Sequence, residues 1–394
     1  MLPKNQVFDQ FSPINGTEEN SFARFTIQNR LPKILQQIVE NNQFNSQINA
    51  GLLSVIDHIL YEKIQHVLTN GEDIAQWEKW TEPYLGRSWF EVPFYFAETY
   101  FYRLILDKIN YFKNRMDPFL KVKKDDIKEN NSQFSEIASN LHQFYHKEQE
   151  KDSIIKFLLQ LSLWGNKSDL SQLKLDRKSG NEMINSYTIM DDTPTMSCLF
   201  SKPLERVDII LDNSGLELFT DLVLADQLIS QHLVKRVILH AKAYPTFVSD
   251  ATREDIHHLL DYLKYNGSLY LQKFVEHVEA LIESKAISIE ANDFWNSPLY
   301  YYEWPNELKI EFERSSLIIF KGDANYRRIF GDRVIPTDTG IEKLNHYLPT
   351  RSLAIRILKS EIMVGLHKDV VVSLNRTDES WMSNGRYGIF QRIK

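Results

Sequence analysis

The feature that most constrains this chain is a change of hydrophobic period near residue 190. From Phe22 to about Ser171, apolar residues return every three or four positions in LPKILQQIVENN, INAGLLSVIDHILYEKIQHVL, WFEVPFYFAETYFYRLILDKINYF and SIIKFLLQLSLWG. That is the period of helices burying one face. Beyond the polar, turn-rich stretch Lys174 to Pro194, short Val/Ile/Leu runs alternate with helical segments: RVDIILD, RVILHA, SLIIFKG and SLAIRIL. Continuous apolar runs suit strands buried on both faces, and strand-helix alternation predicts a mostly parallel sheet flanked by helices. The charged segment Arg115 to Ser132 reads as a solvated connection between helices.

With 394 residues, the chain can form two domains or one large domain with a helical annex. A net charge of -7 argues against a nucleic-acid binder, because phosphate-backbone affinity rests on clustered Lys and Arg. The single cysteine, Cys198, cannot form an intramolecular disulfide, which suits a reducing compartment. No basic segment followed by an apolar run opens the sequence, and no run approaches the roughly 20 apolar residues of a membrane helix. A cytoplasmic enzyme without a nucleic-acid or membrane partner is the expectation, and the oligomeric state is left open.

In parallel sheets, ligands bind beyond the carboxyl ends of strands, so each apolar run is read at its end. The run from Val207 ends in Asp212 and Asn213, with Gly215 allowing close backbone approach. Oxygen donors placed together suit a hard divalent cation. Asp and Asn also cap helices, and that reading stays open. Glu217 and Asp221 read as surface residues complementing the helix dipole. The run from Arg236 leads to Asp250, a second candidate ligand, although Ser249, Asp250 and Thr252 could equally cap the next helix. Lys242 either meets an anion or faces solvent.

The third run ends in Lys321, Asp323, Asn325, Arg327 and Arg328, crowded into one turn after Gly322. Such a cluster at a helix start suits a phosphate or polyhydroxyl ligand. The fourth run delivers Arg356 and Lys359 to the same edge. In the helical half, Glu98 lies among aromatics and needs a partner, either Arg103 or a ligand. Asn166 and Asp169 read as a helix stop and a cap.

DNSGLE, PTFVSDAT, KGDANYRR, RILKSE and WMSNGRYG occur in one order. With them the chain resembles the damage-control phosphatase family, formerly domain of unknown function 89, in its acidic-residue methyltransferase-like subfamily. The Trp89 to Arg103 stretch and LWGNKSDLS extend the likeness into the helical half. The resemblance implies an α/β fold: an N-terminal helical domain, placed at residues 1–190, packed on a three-layer α/β/α sandwich with a mostly parallel sheet, placed at 191–394. It also implies one divalent cation on Asp212, Asn213 and Asp250, with Mn2+ expected first and Mg2+, Co2+ or Ni2+ as substitutes. Asp323, Asn325, Tyr326 and Arg327 are then substrate contacts, Lys359 a phosphate contact, and Glu98 a residue on the sugar side of the pocket. Where the subfamily shows Arg-Thr-x-Lys, this chain has Arg356-Ile357-Leu358-Lys359, so a threonine hydroxyl is missing.

The implied reaction is metal-dependent hydrolysis of small sugar phosphates such as fructose 1-phosphate and fructose 6-phosphate, with Asp212, Asn213 and Asp250 as the catalytic set. Lys359, Asn325 and Arg327 are expected to bind the phosphoryl oxygens not held by the cation. Ser214 stands where the haloacid-dehalogenase signature carries its second Asp, which favours water over Asp212 as the nucleophile. The rival is an S-adenosylmethionine-dependent protein-glutamate O-methyltransferase. No G-x-G-x-x-G follows any of the four runs to support it. A third alternative is a non-catalytic sensor of a phosphorylated metabolite.

Overall fold

A computed structural model describes residues 7–145, 151–164 and 187–394. Asn166 and Asp169 lie outside the described residues, as does the polar stretch from Lys174 up to residue 186. The sheet has seven strands in the order β1-β7-β6-β5-β2-β3-β4. Their ranges are β1 Thr188–Asp191, β2 Val207–Ile210, β3 Val237–Lys242, β4 Ile287–Asn292, β5 Leu317–Lys321, β6 Ser352–Ile357 and β7 Gly388–Arg392. All neighbours pair in parallel except β6 and β7.

The four apolar runs became β2, β3, β5 and β6, the strands at the centre of the sheet. Strands β1, β4 and β7 carry weaker signals. The edge strand β4 reads ISIEAN and exposes its last three residues. Strand β7 follows a glycine-rich turn and runs against β6, so the same-direction rhythm of the earlier units does not announce it.

Period-two alternation divides the sheet's side chains between two cores. Ile210, Ile318, Phe320, Ala354 and Ile389 face the helices Leu31–Asn41, Ser46–Tyr61 and Phe94–Lys108. Ile209, Leu239, Ile319, Ile355 and Phe390 face Lys151–Trp164, Leu216–Ser230, Arg253–Asn266 and Leu269–Glu283. Helices from the first 164 residues thus cover both faces.

Strand order reverses between β2 and β5: the chain proceeds outward through β3 and β4, then returns to the other side of β2. Crossovers leave in opposite directions there, opening a crevice at the carboxyl ends. Asp212 and Gly322 meet in that crevice. A Cβ on Gly322 would fall 2.0 Å from Asp212 Oδ2, so the glycine, at φ +79°, lets the two strand ends touch.

Tyr326 is fully buried beneath this edge. Its hydroxyl donates to Gln391 Oε1 at 2.8 Å and accepts from the Val364 amide at 3.1 Å, joining the helix Gly322–Ile329 to β7. Tyr326→Phe leaves both partners buried and unsatisfied, so urea unfolding should show a loss of about 1–3 kcal/mol. Substrate KM should stay at its wild-type value.

Candidate active site

The loops after β2 and β3 are sewn together by backbone. Asn213 and Asp250 form an antiparallel bridge, the Ala251 amide donates to the Asp212 carbonyl at 2.8 Å, and the Ser214 amide donates to the Ser249 carbonyl at 2.6 Å. Asp212, Asn213 and Asp250, far apart in sequence, therefore share one rim. Asn213 Oδ1 accepts from Ser249 Oγ at 2.5 Å, while its Nδ2 donates to Asp212 Oδ2 and to Glu217 Oε2, each at 2.8 Å.

Helix capping is taken over by other residues. Thr252 caps Arg253–Asn266 in a capping box with Asp255, which leaves Asp250 without a capping role. Gly215 is the N-cap of Leu216–Ser230 and contributes no side chain. Asp126 accepts from the Leu216 amide instead. A Cβ on Gly215 would lie 1.8 Å from Asp126 Oδ2, which explains the glycine.

Glu217 and Asp221 are not surface residues. Asp221 is fully buried, 2.7 Å from Lys321 Nζ and bonded to Ser162 Oγ at 2.7 Å; Glu217 lies 3.4 Å from the same ammonium. The sequence held a signal for this: the helix LELFTDLVLADQLIS is apolar around its whole circumference, so acids four residues apart on it have no solvated face. Lys242 is also buried, pairing with Asp250 Oδ2 at 3.2 Å and donating to the Trp295 carbonyl at 2.9 Å.

Charge is crowded here. Burial pushes the Asp212 carboxyl well above its ordinary range, and the neighbouring Glu217 and Asp250 push it further, against the pull of Lys359 and Lys242. Asp250 is raised by burial despite Lys242 and Lys123. Burial lowers the Lys242 ammonium. Asp212, Glu217, Lys321, Gly322, Asp323, Arg356 and Lys359 line a cleft whose apolar wall is Leu163, Ile355 and Ile357. Asp323 Oδ1 accepts from the Lys359 amide at 3.0 Å and lies 3.4 Å from Arg356 Nη1. Lys359 itself is exposed at the mouth.

The remaining expected contacts point into the protein. Asn325 accepts from the Tyr301 hydroxyl at 2.7 Å and donates to the carbonyls of Lys321 at 2.7 Å and Leu211 at 3.3 Å, bracing β5 against the end of β2. Arg327 makes a bidentate pair with Asp332 at 2.8 and 2.9 Å and meets Glu98 at 2.5 Å. Arg327, and not Arg103, is thus the partner of Glu98; Arg103 pairs with Asp73 at 2.8 Å. Arg328 is fully buried on the carbonyls of Leu299 and Phe294.

Residues 26–373 match the family described as the damage-control phosphatase ARMT1-like domain. The chain belongs to this family. It is 31% identical to mouse damage-control phosphatase ARMT1 over 430 residues, spanning 96% of this chain and 97% of the relative, and 30% identical to the human protein of that name over 434 residues, with 96% and 97% covered. A solved structure of a DUF89 family protein from Pyrococcus horikoshii aligns over the whole of both chains at 13% identity, with a TM-score of 0.49. Among the described residues no helix is long and apolar enough to cross a membrane.

The crowding of carboxylates has a sign that can be measured. An acid whose folded-state pKa is raised stabilises the fold only while protonated, and that contribution is lost as pH rises through the raised value. In chelator-treated protein, Asp212→Asn should therefore be more stable than wild type at pH 7.5. The advantage should shrink as pH falls toward the ordinary carboxylate range, which thermal melts at several pH values check.

Proposed function

We propose that this damage-control phosphatase family member hydrolyses the phosphate ester of small sugar phosphates of the fructose 1-phosphate and fructose 6-phosphate type, with a divalent cation held by Asp212, Asn213 and Asp250. The reading is carried by one observation: the desolvated carboxylates of Asp212 and Asp250 and the side-chain amide of Asn213 share one rim at the switch point of a parallel sheet, beside an exposed lysine. Among the described residues no three Asp, Glu, His or Cys side chains form a metal-binding group, so the donor set relies on the amide of Asn213. That set fits a hard cation of the Mn2+ or Mg2+ type once the Asn213 amide, whose Oδ1 is bonded to Ser249 Oγ and whose Nδ2 is turned to Asp212, presents its oxygen beside the two carboxylates. Burial disfavours the ionised carboxyls of Asp212 and Asp250, a penalty that such a cation would offset.

The cation, when bound, would supply Lewis-acid stabilisation of the phosphoryl group. This chain's residues do the rest. Lys359, at the cleft mouth, offers its ammonium to a phosphoryl oxygen, with its backbone fixed by Asp323. The helix Gly322–Ile329 begins at the same edge, and its first amides face the cleft end with no intrahelical acceptor. Water is the nucleophile. Asn325 and Arg327, each of whose side-chain nitrogens already donates to a protein acceptor, shape the pocket through Lys321 and Glu98; Glu98 reaches a sugar hydroxyl only by sharing its carboxylate with Arg327.

Phosphate release from a panel of sugar phosphates, run with Mn2+, Mg2+, Co2+, Ni2+ and chelator in parallel, tests the reading. Turnover should require a divalent cation. Asp212→Asn should abolish it, and Lys359→Ala should raise KM about 10- to 100-fold, the worth of one charge-assisted hydrogen bond. Adenosylmethionine binding by calorimetry without metal-dependent phosphate release would replace this reading with the methyltransferase one.

A further inference from the structure

The segment Arg115 to Ser132, which the sequence presents as a solvated connection, is instead built against the candidate site. It contains the helix Leu120–Glu129, and Lys123 on it is 2% exposed. Its ammonium makes three contacts: Asp255 Oδ2 at 2.7 Å, Asp117 Oδ2 at 3.1 Å and the backbone carbonyl of Asp250 at 3.1 Å. A buried ammonium has three protons to place, and these contacts use all three.

Two of the three partners bear on the loop that presents Asp250, whereas Asp117 belongs to the lysine's own segment, where it accepts from the Phe119 amide at 2.8 Å. The Asp250 carbonyl is the peptide group next to the proposed ligand side chain. Asp255 Oδ2 also accepts from the Thr252 amide at 2.9 Å and Thr252 Oγ1 at 2.7 Å, so the same oxygen anchors the loop to the start of helix Arg253–Asn266. One helical turn away, Asp126 holds the Leu216 amide behind the loop of Asp212 and Asn213. Positions 123 and 126 are three residues apart and share one helix face. A single turn of helix thus grips both ligand loops from behind.

We propose that Lys123 is a positioning residue that fixes the Asp250 loop, and with it the Asp212 to Asp250 geometry, through the Asp250 carbonyl and Asp255. This rests on the proposed metal-binding role of Asp212, Asn213 and Asp250. Lys123 touches neither cation nor substrate. It acts by denying the Asp250 peptide the freedom to rotate its carboxylate out of register, the ordering that a ligand set needs from the groups behind it.

The test uses the full chain and two readouts: the half-saturating Mn2+ concentration for phosphate release, and amide hydrogen exchange of residues 247–252 in chelator-treated protein. Lys123→Met should raise half-saturating Mn2+ at least tenfold and speed exchange in 247–252 while sparing β2 and β5. Lys123→Arg, which keeps a donor cation, should recover part of both. Lys123→Met strands two buried carboxylates, so the double variant Lys123→Met/Asp255→Asn removes one of them; it should fold and keep the raised Mn2+ requirement. Wild-type Mn2+ dependence together with wild-type exchange in either methionine variant overturns the proposal. A wild-type protein indifferent to Mn2+, whose loop nevertheless loosens in Lys123→Met, sinks the metal reading and supports the positioning of Asp250.

Discussion

Everything at the carboxyl edge of this sheet is organised around one electrostatic constraint: Asp212 and Asp250 are held out of water on loops that are bonded to each other. Such a pair is costly by itself, because burial penalises each charge and each penalises the other. The surroundings divide that cost. Lys242 faces Asp250 from β3, while Lys359 draws on Asp212 from the end of β6. Glu217 adds to the negative field, yet its neighbour Lys321 is mostly committed to Asp221 and Ser162. The cleft is left with the desolvated carboxylate of Asp212 facing the exposed Lys359.

The topology makes this economical. At the reversal between β2 and β5 no crossover fills the space beyond the strand ends, so polar groups can converge without disturbing either core. Asn325 braces the two central strands, Gly322 lets Asp212 approach, and the Asp332–Arg327–Glu98 chain ties the first helical layer to the helix that follows β5. Most of the polar residues in the Asp-Ala-Asn-Tyr-Arg run thus serve the pocket's shape from behind.

The central strands were legible because burial on both faces forces an unbroken apolar run, and their ends were legible because polar residues cluster there. From the residues alone Asp212, Asn213 and Asp250 could not be told from helix caps; the family resemblance pointed to ligands, and in the structure Gly215, Asp126 and Thr252 fill the capping positions. Edge strands β1 and β4 and the reversed β7 stayed hidden, since partial exposure and a change of direction erase the pattern. Lys123 was illegible for a different reason. A lysine in KVKKDDIKE looks solvated, and only the tertiary placement of Asp117 and Asp255 makes its burial tolerable. Glu217 and Asp221 lay between these extremes, visible through the all-round apolarity of their helix.

On this reading the carboxylates of Asp212 and Asp250 at the switch point hold a cation. Anomalous scattering from crystals soaked in Mn2+ measures this directly. The account predicts one strong peak coordinated by Asp212, Asn213 and Asp250. A peak elsewhere, for example beside Glu72, Asp73 and Asp293 in the larger cavity beyond β3 and β4, with none at these three residues, would contradict it.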